Sequence, residues 1–206
     1  MNFFKFFSTA ILNFRSKEVN TSLIGYTTEK KIPQVSNSEI EAFQHATADT
    51  TDYKSYLPPL FLAKLSIDII IDICITPKFK INILNTVHGE QHIHWYAIPK
   101  RTESFTITTT VKDIRNVPTG EVIYFDVTVS TTEKRIMNLT LLAIVTNKIN
   151  KVSTKQKKEK SDNPSEPFTI DFFINKNQNF IYGKLLNDHF SVHTNRLLAR
   201  FMGLTK

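Results

Sequence analysis

Residues 60–75 read LFLAKLSIDIIIDICI, sixteen positions whose only charges are Lys64, Asp68 and Asp72. Those three recur every four residues, so a helix would carry them along one stripe and be apolar around the rest of its circumference. Pro58-Pro59 stand before the stretch and Pro77 after it, as helix breakers should. The stretch is short against the ~20 apolar residues of a membrane span and carries three charges, so it is not a transmembrane helix. It predicts a helix over 60–76 that other parts of the chain must cover on most sides.

What covers it follows in the sequence. Residues 88–96, 104–115, 121–130 and 135–147 are rich in Thr, Val, Ile and aromatics and read as strands. In EVIYFDVTV, Ile123, Phe125, Val127 and Val129 alternate with Val122, Tyr124, Asp126 and Thr128, which marks a sheet with one buried face. Pro118-Thr119-Gly120 and Thr131–Lys134 are short and turn-like, so neighbouring strands should be antiparallel. One buried helix beside a run of antiparallel strands is an α+β architecture, the hot-dog fold, in which the sheet wraps around the helix.

Length and composition agree with a folded chain. Its 206 residues, 41% hydrophobic and 22% charged, suit one large domain or two small ones and exclude wholesale disorder. Only five glycines occur, and neither G-x-G-x-x-G nor G-x-x-x-x-G-K-[ST] is found, which argues against a phosphate loop. A single cysteine, Cys74, forbids an intrachain disulfide and a cysteine zinc site, fits a reducing compartment and leads to an expected cytoplasmic location. The net charge of +7 is concentrated: residues 148–160 hold six lysines and one glutamate, and no aromatic interleaves with them for base stacking. That run reads as a solvated linker rather than a nucleic-acid or anionic-membrane contact.

The chain divides into an N-terminal amphipathic segment (1–28), a first unit (29–147), a charged linker (148–167) and the start of a second unit (168–206). MNFFKFFSTAILNF places Phe3, Phe7, Ile11 and Phe14 at helical spacing without a signal-peptide pattern, and a helix packing on its own domain is weighed against peripheral membrane contact. Ser36-Asn37-Ser38-Glu39 offers a capping box for a short helix through Ile40, Phe43 and Ala46. After the linker, FTIDFFI (168–174) alternates as a strand, and 193–203 opens another helix. A faint internal repeat joins the halves: Phe43 precedes Asp49 by six residues, and Tyr182 precedes Asp188 by six. Five residues beyond the acid, the first copy has Lys54 and the second has His193.

His88, Glu90, His92 and His94 would share one face of a regular strand. Alternate strand residues advance ~6.6–6.8 Å, so His88 and His94 cannot reach one ion, and the group reads as polar residues on a sheet face rather than a metal site. Cys74, in the apolar helix, is expected to be inert.

At YGKLLNDHFSVHTNRLLARFMGLTK (182–206) the chain resembles the MaoC-like dehydratases and (R)-specific enoyl-CoA hydratases, whose signature is Y-x-x-x-S-G-D-x-N-P-x-H followed by a helix. Tyr182, Asp188 and His193 fall on its tyrosine, aspartate and histidine, and Leu198-Ala199-Arg200 and Gly203 match the helix. YLPPLFLAKL and TPKFKINILNTVHGEQHIHWYAIP, residues 56–65 and 76–99, are similar to the degenerate first unit of double hot-dog members. The resemblance implies reversible hydration of trans-2-enoyl thioesters to 3-hydroxyacyl thioesters in fatty acid metabolism. It casts Asp188 and His193 as catalytic and Tyr182 and Asn187 as substrate-binding. It implies no metal or redox cofactor, with coenzyme A or an acyl carrier protein as the substrate's handle.

The sequence departs from that signature at four places. Leu186 and Asn187 replace its serine and glycine, and Phe190 and Ser191 replace its asparagine and proline. Asn187 substitutes plausibly for glycine because Asn tolerates positive φ, whereas Phe190 cannot supply an amide's hydrogen bonds. The second unit is expected to be truncated just inside its helix at Lys206, which makes weak or absent activity of the isolated chain the expectation. Three functions stay open: a thioester hydratase, a non-catalytic module binding an acyl chain or a partner, and half of a split enzyme. The partners in view are the acyl thioester, a homodimer mate or a complementing polypeptide.

Overall fold

The computed structural model describes residues 19–118, 120–146 and 177–185. The alternating segments form one antiparallel sheet of β1 (Thr27–Ile32), β2 (Thr86–Trp95), β3 (Phe105–Val117), β4 (Gly120–Ser130) and β5 (Arg135–Thr146). Their spatial order is β1-β3-β4-β5-β2. Among the described residues three α-helices accompany it: α1 (Asn37–Thr47), α2 (Phe61–Cys74) and α3 (Gln178–Leu185). The four strands expected from alternation are present with ends displaced by at most two residues. β1 is the addition. TTEKKI has no apolar alternation, and among the described residues this largely exposed edge strand is paired to β3 alone, with charges that discourage further pairing.

Period two sorts the sheet into faces. On the inner face, Ile107 lies opposite Val129 and Val129 opposite Met137, while Val111, Phe125 and Leu141 form a second row. These side chains are buried. The outer face is threonine-rich, and its polar side chains bond across strands: the Thr140 hydroxyl donates to Asp126 at 3.0 Å and Lys112 pairs with Asp126 at 2.8 Å.

Helix α2 lies on the inner face, as its composition requires. Phe61, Leu62, Ile69, Ile70, Ile73 and Cys74 are buried in the same core as the strand rows. Ser66, also buried, satisfies its hydroxyl by donating to the Leu62 carbonyl at 2.8 Å. Phe79, just beyond the helix, stacks on Phe125 at 6.4 Å between ring centres. Burial pushes the Cys74 thiol up to about 12, so it stays protonated and unreactive. The sheet curved around α2 is the expected hot-dog fold. No helix among the described residues is long and apolar enough to cross a membrane.

Helix α1 begins at the expected capping box. The Ser36 hydroxyl accepts from the Glu39 N–H at 3.3 Å, and the Glu39 carboxylate accepts from the Ser36 N–H at 3.0 Å. The chain before β1 is tied to the same core. Val19 is buried, and its N–H donates to the buried Glu121 carboxylate at 2.8 Å.

Two glycines explain departures from regularity. Gly120 opens β4 at φ +148°, and a Cβ there would stand 2.0 Å from the Val145 carbonyl oxygen. Gly89 sits in a β-bulge between His88 and Glu90. The bulge corrects the expectation of one shared face: Glu90, His92 and His94 oppose outer-face Leu142, Thr140 and Asn138, whereas His88 opposes Ala143 of the inner row. An extra residue in the strand inverts the alternation on one side of it.

Candidate functional site

The residues expected to act are Tyr182, Asn187, Asp188 and His193, and the first copy of the repeat keeps only its acid, Asp49, just after α1. Asn187, Asp188 and His193 are outside the described residues, as are Phe190, Ser191, residues 1–18 of the N-terminal segment, the lysine-rich linker, the strand expected at 168–174 and the helix expected at 193–203. Tyr182 is inside them, on α3.

Helix α3 rests on α1, so the helices that carry Tyr182 and Phe43 pack against each other. Gln178 donates its side-chain amide to the Ala46 carbonyl in the last turn of α1, one of the carbonyls a helix end leaves unpaired. Leu185 packs against the core and Gly183 is buried. Phe43 points inward and meets Phe61 edge to face at 5.3 Å. Tyr182 is half-buried near the charged stripe of α2, and burial, then the Asp68 charge, holds its phenol above the ordinary range.

That stripe is the polar part of the neighbourhood. Lys64 Nζ stands 2.7 Å from Asp68 Oδ2 at the favourable i,i+4 spacing. Burial pushes the Asp68 carboxyl up, and the Lys64 bond and charge oppose but do not cancel that rise. Asp72 continues the stripe into a shallow depression beside Tyr26, Thr28, Lys30 and Ile69.

The first copy of the repeat is described in full. Ala48 closes α1 in the left-handed conformation, φ 54°, and the Asp49 N–H returns to the Gln44 carbonyl at 2.8 Å. Asp49 Oδ1 accepts from the Thr51 N–H at 3.0 Å, and Oδ2 accepts from the Tyr53 hydroxyl at 2.8 Å. Burial disfavours the Asp49 charge, yet these two bonds outweigh it and hold the carboxyl below its usual range. Such a carboxylate is ionised and already engaged, a poor base for a water. Lys54, exposed and at φ 50°, stands where the second copy has His193. The Tyr53 lock was missed in the sequence, although an aspartate four residues before a tyrosine in a turn is a pattern that could have revealed it.

The histidines of β2 do not converge. His92 Nε2 is 3.3 Å from Glu90 on the exposed outer face, and the His94 ring meets Tyr96 edge-on at 4.6 Å. Among the described residues no three His, Cys, Asp or Glu side chains are placed to hold one metal ion.

No protein-family model and no curated protein matches the chain. Solved structures do. HtdX of Mycobacterium tuberculosis is similar over 86% of this chain and 67% of its own, at 16% identity and a TM-score of 0.68. A second structure of HtdX gives 86% and 69%, 17% identity and 0.64. A MaoC-like dehydratase from Phytophthora capsici covers 90% of this chain and 70% of its own, at 14% identity and 0.60. At these identities the likeness concerns the fold.

Proposed function

We propose that this chain, which has the fold of the MaoC-like dehydratases, is an acyl-thioester hydratase or dehydratase acting through Asp188 and His193. The observation that carries the reading is the spacing of Tyr182, Asp188 and His193, on a segment whose opening helix is docked on its counterpart in the first half. In the hydration direction the Asp188 carboxylate takes a proton from water, the water oxygen bonds to Cβ of the enoyl thioester, and the resulting enolate is protonated at Cα with help from His193. General acid–base assistance of this kind contributes ~10²–10⁴ in rate. A helix start near His193 would add free N–H groups and positive potential beside the developing enolate. Asn187 supports the turn and, with Tyr182, contacts the substrate. Coenzyme A or an acyl carrier protein is the handle, no metal or redox group takes part, and the cytoplasm is the proposed location.

Phe190 and Ser191 remove an amide and a rigid ring that would hold the acid and imidazole in register, and misplacement by ~1 Å can cost 10²-fold. Turnover is therefore expected to be slow. The decisive measurement follows the enoyl-thioester absorbance of crotonyl-CoA and a longer enoyl-CoA with the purified chain, Asp188→Asn and His193→Ala. Slow hydration lost in both variants supports the reading. Absence of hydration by the chain, alone or with a homodimer mate or complementing polypeptide, would leave an acyl-binding module. Such a partner would find backbone groups at β2, which pairs on one side only among the described residues.

A further inference from the structure

The loop before α2 and the loop after β2 form a groove that the hydratase reading does not use. The segments 53–59 and 95–101 are zipped together: the Leu57 N–H donates to Pro99 at 3.0 Å, the Arg101 N–H to Ser55 at 2.8 Å, and Arg101 Nε to the Tyr56 carbonyl at 3.0 Å. Between them lies a cavity of about 400 Å³ walled by Tyr53, Tyr56, Leu57, Trp95, Ile98 and Pro99. Its size and carbon-rich lining are those of a small-molecule pocket. It is open: Tyr56 is 41% exposed, Trp95 38% and Ile98 66%.

We propose that this groove is a second acyl site, in the first unit, that holds the hydrocarbon chain of an amphipathic anion without turning it over. Three observations select that occupant. The walls offer almost only carbon, which suits a hydrocarbon. Around those segments Lys54, Lys100 and Arg101 stand against Asp52 and the Asp49 carboxylate bonded to Tyr53, while Glu103 is held 3.2 Å from Lys134, so basic groups still outnumber acidic ones and favour an anionic head. The internal repeat aligns Lys54 with His193, which the hydratase reading makes catalytic, and the engaged Asp49 leaves no base in the first half. The groove is thus the first unit's counterpart of a substrate site with its chemistry removed. The comparison with the second half rests on the hydratase reading, whereas the walls and the surrounding charge do not, so binding at Trp95 and turnover can fail separately.

Trp95 is the chain's one tryptophan, so its emission reports the groove alone. The test titrates the full chain with decanoate, decanoyl-CoA and decyltrimethylammonium, each below its micelle concentration. A saturable blue shift with decanoate shows that a free fatty acid suffices, and one confined to decanoyl-CoA assigns the site to thioesters. Either result supports the proposal when the cation binds at least about tenfold more weakly, as charge selection requires. Octanoate should bind about fourfold more weakly per methylene lost. Ile98→Asp, at an exposed position, should keep the far-ultraviolet circular dichroism and lose the shift, whereas Asp188→Asn should retain it. No saturable response, an equal response to the cation, or loss of binding in Asp188→Asn would overturn the proposal. So would a Trp95 already shielded from acrylamide in the free chain, since something else would then fill the groove.

Discussion

Phe43 and Tyr182 stand at the same distance before an aspartate, on helices that touch, and they face different surroundings. Phe43 is buried against Phe61 as part of the core, whereas Tyr182 stays half-buried beside the Asp68 charge. The segments that follow differ in the same sense. In the first, Tyr53 and Thr51 consume the oxygens of Asp49, and Lys54 takes the imidazole's place. In the second, Asp188 and His193 keep the acid and the imidazole. A repeated unit released from chemistry can spend its polar groups on its own folding, because an internally bonded carboxylate is worth more to stability than one left for a substrate.

The largest expected contrast is in rate. Asp188→Asn and His193→Ala should each lower kcat for enoyl-thioester hydration by ~10²–10⁴, while Asp49→Asn leaves kcat unchanged. A comparable loss in Asp49→Asn would break the division of labour between the two turns. Next is the core of the scaffold half. Phe125→Ala, at a fully buried ring stacked on Phe79, should cost ~3–5 kcal/mol in denaturant unfolding.

Smaller effects sharpen the account of the first turn. Ser36→Ala removes the hydroxyl that caps α1 and lowers the Glu39 carboxyl, and should cost ~1 kcal/mol. Tyr53→Phe should cost ~1 kcal/mol near neutral pH. Because Asp49 is lowered in the fold, its contribution is complete above its unfolded pKa and lost as pH falls through the folded value. Tyr53→Phe and the parent should therefore converge in acid-titrated stability measurements, and a gap that persists at low pH would assign the effect to packing. The smallest effect is expected from Lys54→His, which restores an imidazole without a usable base. No hydration attributable to the first turn should appear when it is placed in an Asp188→Asn background.

Much of this fold was legible because its determinants are local and periodic. LFLAKLSIDIIIDICI could only be a helix covered by protein, EVIYFDVTV could only be half-buried, and the Ser36–Glu39 box marked its helix start. β1 was not legible, since an edge strand that pairs through its backbone needs no apolar alternation. Nor was the facing of His88, which depends on the bulge at Gly89. In the candidate site, the spacing of Tyr182, Asp188 and His193 could be read directly. The Tyr53–Asp49 bond and the groove beside Trp95 could not, because each is made by where a loop folds back.

The sequence by itself determined the long apolar helix, the capped helix before it, four of the strands with their alternation, and the place where an acid recurs, once with an imidazole five residues on. Those properties follow from the periods of 3.6 and 2 and from counting residues along one chain. Only the tertiary structure decided that α3 lies on α1, that Tyr182 shares its surroundings with Asp68, and that residues 53–59 and 95–101 close an apolar groove. These contacts join residues tens to more than a hundred positions apart. Their energy comes from burying surface against whichever partner the fold brings near, which no local pattern encodes.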